Sequence, residues 1–206
     1  MNFNIWYFLA CIALGIFVAY MGWPLYVVFI SIGVFFILQT TYIFYIVFVC
    51  QHNKLLTRFV DKQRKIAIYE YAYLLREGTD EQIVRALEKI LKKYKAPKYQ
   101  ATYGASYYVL QKNYQAARDI VIPIQHSEIG QYTLGLIAAS EGKREEALRY
   151  TYTKPWMKHS ILANLAFAEG NIEEFNEHST LAISQSKGLQ RYSNFYAFNR
   201  LKEAFS

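Results

Sequence analysis

Apolar residues run nearly unbroken from Ile5 to Cys50, after which the pattern changes to one apolar position every three or four residues, interrupted by short polar turns. The first pattern predicts helix embedded in lipid, the second amphipathic helices packed on one another. A bilayer core takes about 20 helical residues, so the apolar stretch is too long for one span and suits two. Gly22 and Pro24 break it, and Tyr20, Trp23 and Tyr26 around them fit a headgroup region. Residues 1–53 therefore read as a two-helix transmembrane hairpin, with spans over about 4–20 and 25–47.

From residue 66 the helical period repeats in pairs: 66–77 with 80–94, 99–111 with 114–122, 127–141 with 143–152, and 156–169 with 172–184. A last helix over 189–205 is expected to cover the exposed end. Gly78, Gly142 and Gly170 each close one apolar segment, and Lys112-Asn113 falls midway between the first two. A period of roughly 30 residues built from two helices signifies a helical repeat array. The predicted fold is all-α: the hairpin, a basic juxtamembrane linker over 54–65, and a repeat domain over 66–206.

Charge sharpens the division. No Asp, Glu, Lys or Arg precedes Lys54, so the net charge of +7 belongs entirely to the second region. Residues 54–65 carry five basic side chains and one acidic, residues 66–100 seven and five, and the remainder eleven and ten. Lys54, Arg58, Lys62, Arg64 and Lys65 directly follow the second span, whereas the loop between spans has no charge. The positive-inside rule then places the N-terminus and the repeat domain in the cytoplasm, with those five residues against anionic headgroups. The charge excess falls with distance from the membrane, so no nucleic-acid partner is expected. The overall composition suggests a bacterial plasma membrane. An uncharged N-terminus and an overlong apolar stretch argue against a cleaved signal peptide.

Within the first span Cys11, Gly15 and Ala19 recur every four residues, a small-residue stripe suited to close helix packing in the hairpin, with a second copy of the chain, or with another membrane protein. Gln39 in the second span needs a hydrogen-bonding partner. Both cysteines, Cys11 and Cys50, lie in the apolar region, so no disulfide framework is indicated.

The repeat region resembles the tetratricopeptide repeat family. The third pair carries Leu134-Gly135 at the helix crossing, Gly142 at the turn and Ala147 in the second helix; the second has Ala105, Tyr108, Tyr114, Ala117 and Val121; the fourth has Leu162, Ala163, Ala166 and Gly170. It departs from the family in lacking the first-helix tryptophan, in Phe175 where alanine is usual, and in the early Pro155. The resemblance implies a right-handed α-solenoid of about four pairs, whose concave face takes an extended peptide or partner helix. Family offsets put Arg76, Tyr99, Ser106, Tyr132 and Asn164 on that face; the tyrosines would equally serve to fill space between helices.

No catalytic constellation, phosphate-binding glycine loop or metal-ligand spacing is visible, and the four histidines are scattered. No cofactor is expected. Glu145-Glu146 and Glu173-Glu174 open second helices, where carboxylates favour the helix dipole. Lys92-Lys93-Tyr94-Lys95-Ala96-Pro97-Lys98-Tyr99 is a basic aromatic run that serves a helix C-terminus or a headgroup surface. These features point to a non-catalytic scaffold that recruits a protein or peptide to the membrane. The alternative is a regulatory receptor whose groove binds a small peptide or metabolite.

Overall fold

The computed structural model describes residues 5–22 and 24–205; the side chains of 5–8, 10, 11, 14 and 25 lie outside the described set. The described residues are helices and turns without a strand, and they separate into two compact units at Val47 and Phe48.

In the first unit α1 (Ile5–Tyr20) packs on α2 (Leu25–Phe44), which runs on as a π-helical turn over Tyr45–Val49. Gly22 supplies the turn at φ +67°, a region open to glycine at no steric cost, and Pro24 precedes α2. The continuous segment Tyr26–Val49 is 24 residues long with mean hydropathy 2.1, long and apolar enough to cross a membrane. Val34, Phe35, Phe36, Ile37 and Leu38 are all exposed, and five successive residues about 100° apart circle the helix, so over this stretch apolar side chains face outward in every direction, while Ile46 nearer its end is buried. α1 has only 16 residues. Val18 is its buried residue; Ala19 is exposed, and a β-carbon on Gly15 would meet nothing within 4 Å. The side chain of Cys11 lies outside the described residues, as do Trp23 and residues 1–4 of the expected first span.

The first helix wholly within the second unit is α3 (Asn53–Gln63), so the segment expected as a linker is a helix of the folded domain. Its charges conceal an apolar face: Leu56, Phe59 and Val60 are buried, while Lys54, Arg58 and Lys62 form an exposed stripe at four-residue spacing. Then come α4 (Ala67–Glu77), α5 (Asp80–Lys93), α6 (Pro97–Leu110), α7 (Tyr114–Asp119), α8 (Glu128–Ser140), α9 (Arg144–Arg149), α10 (Pro155–Ala168), α11 (Ile172–Gln185) and α12 (Gly188–Glu203). Consecutive partners pack as pairs, and the first helices α6, α8 and α10 pack side by side. α7 and α9 are shorter than expected. Pro123 diverts the chain after α7 into a 3-10 turn over Ile122–Ile124, because its nitrogen cannot donate in a continuing helix. After α9 the Tyr152 hydroxyl donates to the Ala147 carbonyl, taking an acceptor that a further helical turn would use.

Three turns are equivalent. Lys112, Gly142 and Gly170 have φ of +55°, +78° and +74°. In each, the amide one residue later donates to a carbonyl five residues back: Asn113 to Tyr108, Lys143 to Ala138, Asn171 to Ala166. This is the Schellman termination. Seven residues before each turn stands a buried small residue, Ala105, Gly135 or Ala163, and five after it a buried Ala117, Ala147 or Phe175.

α12 packs on α11 and also on α3 and α4. The Gly188 amide donates to the Cys50 carbonyl at 2.7 Å, Arg191 to Asn53 Oδ1 at 3.1 Å, and Arg200 to the Gly78 carbonyl at 2.6 Å and to Asp80 at 2.5 Å. Phe175 fits this arrangement, packing edge-on to Phe198 of α12 and beside Phe205, where alanine would leave a void. Pro155 opens α10 at its first turn, where a missing amide costs nothing.

Candidate interaction surface

The five residues expected on the groove all belong to first helices, α4, α6, α8 and α10, and all are half-buried. The structure does not gather them into one open patch. Arg76 is enclosed: it bonds Asp61 at 2.8 Å and Glu77 at 2.7 Å and lies over the rings of Tyr73 and Tyr196, the latter from α12. Burial opposes its charge, but the two carboxylates outweigh that and raise its pKa. The Tyr132 hydroxyl pairs with Ser160 Oγ at 2.9 Å, its ring meets Trp156 edge-on, and burial holds its phenol well above the usual range. Asn164 donates to the Ser160 carbonyl at 2.8 Å, and Ser106 to the Thr102 carbonyl at 3.1 Å.

Tyr99 has different company. It tilts against Tyr94 at 5.2 Å and stacks on Tyr103 at 6.3 Å, and Tyr103 meets Tyr71 edge-on at 5.6 Å. This tyrosine ladder links α4, α6 and the end of α5. Burial pushes the Tyr71 phenol up to about 12 and raises that of Tyr103 as well. Lys92, Lys93, Lys95 and Lys98, close by in the chain, are exposed, and Lys93 lies over the Tyr94 ring. The two readings of the basic aromatic run are both visible: Lys95 donates to the Leu91 carbonyl at 3.0 Å, closing α5, while the other lysines stand in solvent.

The paired glutamates do more than favour a helix dipole. Arg118 reaches forward to Glu141 at 2.5 Å and Glu146 at 3.1 Å; Arg144 reaches Glu169 at 2.7 Å and Glu174 at 3.1 Å. In each case the carboxylates lie one residue before and four after a glycine turn, so one arginine ties the second pair to the third and another the third to the fourth. The repeated Glu-Gly-x-x-Glu-Glu at 141 and 169 was the sequence signal for this.

A pocket of about 350 Å³ with mixed walls lies between α11 and α12, reaching the start of α3; Asn53, Asn176, Arg191 and Lys202 line it together with Phe175 and Phe198. Sequence spacing also missed a histidine pair. His159 on α10 and His178 on α11, nineteen residues apart, face each other with Nδ1 atoms 3.4 Å apart. Among the described residues no group of three or more His, Cys, Asp or Glu side chains could hold a metal. The chain matches no protein-family model, no curated protein and no solved structure.

Proposed function

We propose that this chain is a membrane-anchored, non-catalytic scaffold: a two-span hairpin fixes a tetratricopeptide-type repeat domain at the cytoplasmic face of a bacterial plasma membrane, where it holds a protein or peptide partner. The observation that carries this reading is the largely exposed apolar segment Tyr26–Val49, covalently continuous with a domain of stacked helix pairs. The basic stripe of α3 supports the cytoplasmic orientation, since Lys54, Arg58 and Lys62 follow the segment within about four turns of helix. Three equivalent turns and two equivalent arginine clamps support the repeat reading. Because α12 covers Arg76, the partner surface we favour is the outer end of the tyrosine ladder, Tyr94 and Tyr99 with their lysine rim. Tyrosines offer large rigid contact area at small entropic cost, and lysines favour an acidic partner segment.

Photo-crosslinking from position 99 in native membranes tests this. A protein adduct that disappears when Tyr94 and Lys98 are replaced by alanine is expected; the same adducts from the variant, or none at all, would sink the reading. A second reading, the small-ligand receptor, is favoured by the pocket of mixed polar and apolar walls between α11 and α12. It predicts that a dialysed low-mass cell extract raises the melting temperature of the detergent-solubilised chain, and that Lys202→Ala abolishes the rise.

A further inference from the structure

His159 and His178 belong to the two most extensively packed helices of the domain, and both side chains are half-exposed at the α10–α11 seam. Their facing nitrogens are 3.4 Å apart, longer than the roughly 2.7–3.2 Å of a well-formed hydrogen bond. The ring centroids are 5.3 Å apart with the planes tilted by 40°. A cation held about 2.05 Å from each nitrogen at the tetrahedral angle would set the nitrogens about 3.4 Å apart. It would set the centroids, about 1.2 Å further back, about 5.3 Å apart. Both separations agree with two imidazole lone pairs converging on one point.

We propose that His159 and His178 form a two-histidine chelate for a borderline-soft divalent cation of the Zn²⁺, Cu²⁺ or Ni²⁺ class, bound through both Nδ1 atoms. Imidazole nitrogens select this class over Mg²⁺ or Ca²⁺, which take oxygen ligands. Burial and the mutual repulsion of the pair, with Lys158 adding to it and Glu177 opposing, lower the His159 pKa and so favour the neutral, ligating form. The protein fills two positions, leaving two open to water or to a donor side chain of a bound partner. Bound cation ties α10 to α11 in addition to their apolar packing and the Arg144 clamp on Glu169 and Glu174.

The test is titration of the metal-free full chain in detergent with Zn²⁺ alone, read by calorimetry, and with Co²⁺ alone, read by its visible absorption. Wild type is expected to bind one Zn²⁺ at this site, to give the absorption of nitrogen-ligated Co²⁺, and to melt several degrees higher with saturating Zn²⁺. His159→Gln and His178→Gln, each with an unchanged circular dichroism spectrum, are expected to weaken binding at least tenfold and to lose the thermal shift. Two variants on different helices guard against one failing to fold. Wild type that shows neither binding nor shift would overturn the proposal. So would variants that bind as tightly as wild type, which would assign the metal to His52 or His126.

Discussion

Gly130 has no room for a side chain: a β-carbon there would strike the carbonyl oxygen of Ile124 and the backbone around it. That contact is backbone against backbone, so no rotamer change relieves it. Gly130→Ala is expected to destabilise the domain by about 2–3 kcal/mol, read as a lower urea midpoint of the solubilised chain. Gly142→Ala meets nothing within 4 Å yet keeps φ at +78°, so its cost is conformational alone, about 1 kcal/mol. The arginine clamps give a pH signature. Hydrogen bonds from Arg144 hold the Glu169 carboxyl below the ordinary value of 4.5, with burial acting the other way. A carboxylate depressed in the folded state contributes stability that is present above its unfolded pKa and lost as pH falls through the folded one. Melting temperature should therefore fall below about pH 4.5, and Glu169→Gln should flatten that part of the profile.

At the scale of elements, pair boundaries were readable because left-handed turns need glycine or a tolerant substitute, and Gly142, Gly170 and Lys112-Asn113 mark them in the chain. α3 was hidden because Lys54, Arg58 and Lys62, with Arg64 and Lys65 just beyond, dominate the segment's composition while Leu56, Phe59 and Val60 carry its packing. The return of α12 to α3 and α4 was not readable either. Its contacts join residues more than a hundred positions apart, such as Thr57 with Tyr196 and Asp80 with Arg200. Of the expected site, helix membership of all five groove residues was legible, but the enclosure of Arg76 depends on Tyr196 and the histidine pairing on the α10–α11 crossing. If α12 supports both ends of the array, a chain truncated after residue 187 should lose hydrogen-exchange protection in α3 and α4 as well as in α11. Loss confined to α11 would reduce α12 to an end cover.

At the scale of the molecule, a strongly apolar segment and a domain with charged, polar surfaces meet along one chain. A helix with apolar side chains exposed all round is costly to place in water, and a domain with half-buried ion pairs and polar turns is costly to place in lipid. The account stands on the claim that Tyr26–Val49 lies in a bilayer and holds the helix-pair domain at its surface. Alkaline carbonate extraction of native membranes tests that claim most directly. The full chain is expected to stay with the membrane pellet while a chain starting at residue 51 is released. Release of the full chain into the supernatant would contradict the account.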